Sequence, residues 1–275
     1  MKYFHWIVLL LCSPALLFAQ LAVVTPRGAD AQTANDQGSS SSASKPSSDQ
    51  SDNKAYHSYS DDPRYTVSVS SLSAPDKARK AFEKAEEEVR KGRWQAATTY
   101  FRKAVETYPK YAIAWLELGR VQARQSSYAE AQNCFRQAVA QDSKLLDGYV
   151  ELAKVATRQE NWTDLADASD HLIQLAPGSS PEYWYMNSMA YYNLGKLNQA
   201  EASATHGLDL DPRHQVPEME YVYGLILGTK KDYKGAAEHM SAYLRLAPDA
   251  QDKDIAKNLL AGYVYREQLA AEDQQ

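Results

Sequence analysis

Residues 112–145 read AIAWLELGRVQARQSSYAEAQNCFRQAVAQDSKL, and this stretch decides the fold. Large and small apolar residues recur at helical spacing in its first half and again in its second half. They are Trp115, Leu118, Gly119, Ala131, Phe135 and Ala138. Small side chains at Gly119 and Ala131 allow two helices to approach closely, while Trp115 and Phe135 fill the volume around that contact. The stretch therefore predicts a helix-turn-helix unit.

The same unit recurs along the chain. The residues predicted to open its second helix are Trp94, Tyr128, Trp162, Leu197 and Tyr233, separated by 34, 34, 35 and 36 positions. Three positions later stand Ala97, Ala131, Leu165, Ala200 and Ala236, and the units end near Pro109, Ser143, Pro177, Pro212 and Pro248. One helix pair alone cannot bury its apolar faces, so the pairs must stack. The chain is predicted to be all-α, with about five stacked helix pairs.

Capping residues mark three predicted helix starts. Ser127 and Glu130 form the pattern of a capping box at the second helix of the unit quoted above. Asn161 is expected to cap the helix that begins at Trp162. Before the first unit, residues 73–76 read Ser-Ala-Pro-Asp, which predicts a helix start with a serine cap and proline in the first turn.

The residues of the second unit resemble the tetratricopeptide repeat. The match rests on Trp115, Leu118, Gly119, Tyr128, Ala131, Phe135 and Ala138. The resemblance covers about residues 78–250 and implies a right-handed α-solenoid of about five repeats plus a C-terminal capping helix. The repeats would span 78–111, 112–145, 146–179, 181–214 and 217–250. Ser169 and Glu220 depart from the family pattern, because each stands where an aromatic residue is usual.

The segment after Pro248, residues 251–275, is predicted to contain the capping helix and a short tail. Ile255, Leu259, Leu260 and Val264 are expected on one face of this helix, with charges opposite. A repeat array needs such a helix to cover its last exposed apolar face. An independent docking helix is the alternative.

The N-terminal part of the chain has the composition of an export signal followed by a spacer. Residues 1–19 carry Lys2, a short apolar run and Ala19, as in a secretory signal peptide, with a retained membrane anchor as the alternative. Residues 20–64 are rich in serine and are expected to be a disordered linker or an inert tail. Residues 65–77 are expected to be an extended segment and a helix start. Residues 71–78 also resemble exported acidobacterial repeat proteins, and the predicted location is the periplasm or outside the cell.

The resemblance implies a concave face lined by the first helix of each pair. The face is expected to be basic in repeats one to three, interrupted by Glu86 and Asp147, and apolar or aromatic in repeats four and five. Its residues are Arg90, Arg120, Arg124, Lys154, Arg158, Tyr185, Met189, Tyr192, Tyr221 and Leu225. Such a face would bind a partner segment that is acidic at one end and apolar or aromatic at the other, because arginine pairs with carboxylates and tyrosine offers apolar contact. A solvated helix face and packing between repeats are the alternatives.

The sequence lacks the residue patterns of the common catalytic sites. It contains no His-Glu-x-x-His, Cys-x-x-Cys, Gly-x-Ser-x-Gly or phosphate-binding glycine loop, and no cofactor or metal site is predicted. The net charge of -5 argues against nucleic acid as a partner. The predicted function is a non-catalytic, exported scaffold that binds a peptide or protein in its groove. The alternative is a structural subunit of cell-envelope assembly or secretion machinery.

Overall fold

A computed structural model describes residues 73–273 of the chain. The predicted signal, the linker and most of the extended segment lie outside these residues. The described part contains eleven α-helices and no strand. They are α1 Asp76–Arg90, α2 Trp94–Thr107, α3 Ala112–Arg124, α4 Tyr128–Gln141, α5 Leu146–Arg158, α6 Trp162–Leu175, α7 Pro181–Asn193, α8 Leu197–Leu210, α9 Glu218–Thr229, α10 Tyr233–Leu246 and α11 Lys253–Glu272.

The first ten helices form five consecutive pairs. Within each pair the two helices pack against each other, and each second helix packs against the first helix of the next pair. First helices of neighbouring pairs also touch, α3 with α5 and α7 with α9. This chain of neighbour contacts is the all-α tetratricopeptide solenoid that the sequence predicts.

The helix ends follow the repeat markers. The five predicted opening residues, from Trp94 to Tyr233, are each the first residue of a second helix. Four of those second helices end two residues before a proline, which has no backbone N–H to donate and so cannot continue a helix. The turn inside each pair contains one residue in the left-handed region: Gly92, Ser126, Glu160, Gly195 and Lys231. Only two of the five are glycine, so this turn is imposed by the packing of the pair as well as by local preference.

The core of the pairs lies where small residues let the helices approach. A Cβ added to Gly119 would stand 2.5 Å from the ring of Phe135, which is fully buried. The predicted contact between these two residues is therefore confirmed. Trp115 is only partly buried, and its indole Nε1 donates to the carbonyl oxygen of Pro109 at 2.8 Å. Trp115 lies at the periphery of the core rather than inside it, because its indole N–H reaches the backbone at the end of the previous repeat.

The predicted caps have different outcomes. The side chain of Asn161 accepts a hydrogen bond from the backbone N–H of Asp164, as predicted. Ser127 is the residue before α4, but its side chain caps nothing, so the predicted capping box is wrong. The first helix begins at Asp76, and Pro75 occupies its N-cap position. The prediction placed this proline inside the first turn, so the helix begins one residue later than predicted.

The last helix, α11, covers the fifth pair by packing against α10. Its buried residues are Ala256 and Tyr263, whereas Ile255 and Val264 are 37% and 39% exposed. The helix is thus rotated relative to the predicted apolar face. The reason is tertiary: the ring of Tyr263 packs against Gly228 of α9, where an added Cβ would lie 2.5 Å from it.

Candidate functional site

The first helices α1, α3, α5, α7 and α9 occupy equivalent positions in the array and together form what we call the first-helix face. Three of them end in arginine: Arg90 in α1, Arg124 in α3 and Arg158 in α5. These residues, which we call the arginine row, are exposed and recur every 34 positions. A cation at a helix C-terminus is favoured by the helix dipole, and this accounts for part of the pattern.

Two members of the arginine row stack on an aromatic ring of the preceding repeat. The guanidinium of Arg124 lies 4.8 Å from the centre of the Trp94 ring, and that of Arg158 lies 5.7 Å from the Tyr128 ring. Within residues 73–273, none of the three arginines forms an ion pair. A cation–π contact uses none of the N–H groups of a guanidinium as donors to oxygen, so the row retains donors suited to carboxylates.

Arg120, in contrast, is held by carboxylates of its own chain. It lies 2.8 Å from Glu117, 2.9 Å from Asp147 and 3.2 Å from Glu151. Lys154 is more exposed and lies 3.3 Å from Glu151. The predicted interruption of the basic zone at Asp147 is therefore seen here, and Glu117 and Glu151 also compensate the cations between α3 and α5.

Burial and like charge perturb a carboxyl group near the start of the face. Glu86 of α1 is partly buried, and this burial raises its pKa, as does the nearby carboxylate of Glu117; Arg90 acts in the opposite sense. The hydroxyl of Tyr111 responds to the same surroundings. Burial, with the negative charges of Glu86 and Glu83, raises the pKa of Tyr111 to about 12. This end of the face is a mixed ionic surface.

The predicted aromatic zone of repeats four and five is mostly interior. The side chains of Tyr185, Met189, Tyr221 and Leu225 are between 1% and 6% exposed, and only Tyr192 is half-buried. These four residues pack between helices and offer no open surface to a partner. The prediction that they form part of a binding surface fails, because α7 and α9 lie in direct contact and close over them.

A polar group lies inside this aromatic zone. The hydroxyl of Tyr243 donates to Oδ1 of Asp252, and the rings of Tyr221 and Tyr243 meet edge to face at 5.1 Å. Burial is the main cause that raises the pKa of Tyr243, with the hydrogen bond to Asp252 second. The arrangement ties α10 to the residue that precedes α11.

Sequence reasoning missed one ionisable cluster, centred on Glu220. This carboxylate is 4% exposed, and its two oxygens lie 3.1 Å from Nδ1 of His214 and 2.6 Å from Nδ1 of His239. Glu220 replaces the aromatic residue usual at its position, and that departure was the one available signal. The histidines are 25 positions apart along the chain, so no local sequence motif predicts that both contact Glu220.

Residues 73–273 contain neither a membrane-spanning helix nor a cluster of metal-binding side chains. No helix there combines the length and apolarity that crossing a membrane requires. The same residues contain no group of three or more histidine, cysteine, aspartate or glutamate side chains arranged to hold a metal ion.

Family models match most of the helical array. Residues 80–210 match the middle TPR-like domain of cilia and flagella-associated protein 70, and residues 185–251 match the tetratricopeptide repeat. Among curated proteins, no sequence matches the chain.

Solved structures with similar folds come from several proteins. YrrB, described as a TPR protein with an unusual peptide-binding site, is 19% identical, with a TM-score of 0.60, covering 70% of this chain and 100% of YrrB. MamA from Desulfovibrio magneticus RS-1, solved from its residue 41 to the end, is 18% identical, with a TM-score of 0.55, covering 65% of this chain and 99% of that solved chain. A tetratricopeptide repeat protein from Parabacteroides merdae is 16% identical, with a TM-score of 0.57, covering 72% of this chain and 76% of that protein. At these identities the likeness is one of fold.

Proposed function

Since this chain is a tetratricopeptide repeat protein, we propose that it is a non-catalytic scaffold that binds an acidic segment of a protein partner along the arginine row. The observation that carries the proposal is the contrast between the arginines of one face. Arg120 is bound by three carboxylates, whereas Arg90, Arg124 and Arg158 are exposed and form no ion pair with any described residue. YrrB, which shares the fold, is described as having a peptide-binding site, and this supports a peptide as the ligand here.

The geometry of the row sets the spacing of acidic residues in the partner. Of the first helices that carry the row, α3 and α5 are in contact, and packed helices lie about 8–10 Å apart. An extended peptide advances about 3.3 Å per residue. Carboxylates separated by about three residues would therefore meet successive arginines. Arginine favours this pairing because its planar edge can donate two parallel hydrogen bonds to one carboxylate.

Export is the second part of the proposal. Residues 1–19 have the charge and apolar run of a secretory signal, and the serine-rich residues 20–64 would act as a spacer in the mature protein. The scaffold would then act in the periplasm or outside the cell. N-terminal sequencing of the protein recovered from cell fractions tests this: a mature chain beginning near Gln20 supports export, and an intact Met1 in the cytoplasmic fraction contradicts it.

Two synthetic peptides of equal composition test the arginine row. One has aspartate at every third position, and the other has all its aspartates adjacent. The first should bind more tightly and should weaken as salt rises, because ion pairs at the surface are screened. The triple variant Arg90→Glu/Arg124→Glu/Arg158→Glu should abolish this preference.

The matched control is Lys80→Glu/Lys103→Glu/Lys144→Glu, which makes the same charge change at exposed residues outside the row. If the control weakens binding as much as the row variant, attraction by net charge explains the result and the proposed site is wrong. Equal affinity for the two peptides would contradict the spacing.

A structural subunit of envelope assembly or secretion machinery is the second candidate. It is favoured by α11, which leaves Tyr265 61% and Leu269 42% exposed. An apolar subunit interface resists salt, unlike binding through the row. Association that persists at high salt and is lost in Tyr265→Lys/Leu269→Lys would favour this candidate.

A further inference from the structure

A cavity of about 380 Å³ lies between α2, α3 and α4, and it contains none of the arginine row. Its floor is formed by Val105, Trp115, Leu118 and Cys134. Charged and polar side chains of α2 and α4 form its rim, among them Arg102 and Glu130. The cavity is within the size range of sites that bind small ligands or large side chains.

A buried amide lines this cavity. Gln122 is only 7% exposed. Its Oε1 accepts a hydrogen bond from Sγ of Cys134 at 3.0 Å. Burial raises the pKa of Cys134 to about 12, so the thiol keeps the proton that it donates. The amide nitrogen of Gln122 has no hydrogen-bond partner among residues 73–273. This nitrogen is not fully enclosed and is accessible to solvent, so a ligand carbonyl that enters the cavity would replace water as its acceptor.

In the next repeat, side chains bridge the equivalent place. Moving 34 positions along the chain replaces Arg102 and Glu130 by Arg136 and Asp164. There the arginine binds the aspartate at 2.7 Å, and Gln132 donates to the same carboxylate at 2.7 Å, which ties α4 to α6. Arg102 and Glu130 form no such bridge. The seam between α2 and α4 is therefore open where the following seam is bridged.

The polar lining also belongs to this repeat alone. The positions equivalent to Gln122 and Cys134 in the next repeat are Ala156 and Ala168, both buried. Two polar groups thus stand where the neighbouring repeat has methyl groups, beside the open seam.

We propose that this cavity binds an aromatic side chain of a protein partner, with the peptide carbonyl next to that side chain accepting a hydrogen bond from Gln122. A cavity of about 150 Å³ lined by apolar residues holds benzene. The volume here is more than twice that, which suits an indole together with its peptide group. Trp115 and Leu118 supply apolar contact for the ring. The rim charges of both signs suit a polypeptide that continues on either side of the anchor.

The test uses N-acetyl-5-fluoro-L-tryptophanamide as the probe and the full chain as the protein, with binding followed by fluorine NMR. The probe should bind with a dissociation constant on the order of 1 mM, as expected for a fragment. Gln122→Leu keeps the volume but removes the donor, and it should weaken binding about tenfold. Circular dichroism melts of each variant establish that the fold is retained.

A second variant closes the cavity without touching Gln122. Thr98→Gln/Glu130→Asp installs the residues that bridge the next seam, and it should abolish probe binding. The matched control, Gln132→Thr/Asp164→Glu, alters the same positions one repeat later and should leave binding unchanged. Equal binding by the closed variant and the wild-type protein would place the probe elsewhere and overturn the proposal.

A ring without a peptide group tests the role of the carbonyl. 5-Fluoroindole should bind more weakly than the amide probe, and its affinity should not respond to Gln122→Leu. If it binds as tightly as the amide probe, or if the amide probe shows no binding up to its solubility limit, the proposal is wrong.

Discussion

The two ends of the first-helix face differ in how deeply they bury side chains at comparable positions. We call repeats one to three the charged end. Its residues are either exposed, as Arg124 is, or bound to carboxylates of the same chain, as Arg120 is. In repeats four and five, which we call the tyrosine end, Tyr185 and Tyr221 are buried. The difference teaches that sharing a face in sequence does not mean sharing an environment. Long charged side chains reach solvent from a helix surface, whereas tyrosine rings fill the space where α7 and α9 meet.

The largest effect is expected at the tyrosine end. Tyr221→Ala removes a ring that is 2% exposed and packs on Tyr243, so it should lower the free energy of unfolding by about 3–5 kcal/mol. Tyr221→Phe keeps the ring and should cost much less. Urea denaturation followed by circular dichroism measures both. A small effect of Tyr221→Ala would mean that the ring is available to a partner after all.

At the charged end, substitutions of Arg120 and Lys154 should have different effects on the free energy of unfolding, because the first cation is bound by carboxylates and the second is mostly solvated. Arg120→Met leaves the buried carboxylate of Glu117 without this partner and breaks the link between α3 and α5, so it should cost about 2 kcal/mol. Lys154→Met, at an exposed position beside Glu151, should change stability by less than about 0.5 kcal/mol. Equal effects in urea denaturation would show that the ion network does not hold the two repeats together.

The smallest effect concerns pH. Because burial and Glu117 raise the pKa of Glu86 in the folded protein, the folded state holds the proton more tightly than the unfolded chain does. Binding of this proton therefore stabilises the folded state. The stabilisation is fully present below the pKa of Glu86 in the unfolded chain and is lost as pH rises through its pKa in the folded protein. Glu86→Gln should therefore be more stable than the wild-type protein at pH 7, with the difference shrinking toward pH 4. A difference that is equal at both pH values would show that the surroundings of Glu86 do not disfavour its charge.

Much of the fold was predictable because its signals are local and periodic. The openings of the second helices, from Trp94 to Tyr233, follow from one recurring apolar position, and the cap at Asn161 follows from its own side chain. The candidate site was predictable only in part. The exposed arginines that end the first helices were among the residues assigned to the concave face by the resemblance to the repeat family, but the partners of Arg120 in α5 were not predicted as such.

The missed features depend on residues far apart in the chain. Two of the three carboxylates that bind Arg120 lie 27 and 31 positions ahead of it in α5, and the seam between α2 and α4 differs from the next seam only once the repeats are stacked. The ionic cluster of Glu220 with His214 and His239 likewise joins a loop to two helices. The contacts of Arg120 with α5 cross from one repeat to the next, and those of Glu220 join residues 6 and 19 positions apart, so no short sequence motif contains either set.

The amino-acid sequence by itself determined the helices, their pairing and which residues lie at equivalent positions, because these depend on apolar spacing within one repeat. Only the tertiary structure decided which of those residues are buried, which charges neutralise each other and where a cavity remains. The reason is physical: burial and ion pairing depend on distances across helices, and the stacking of successive repeats sets those distances.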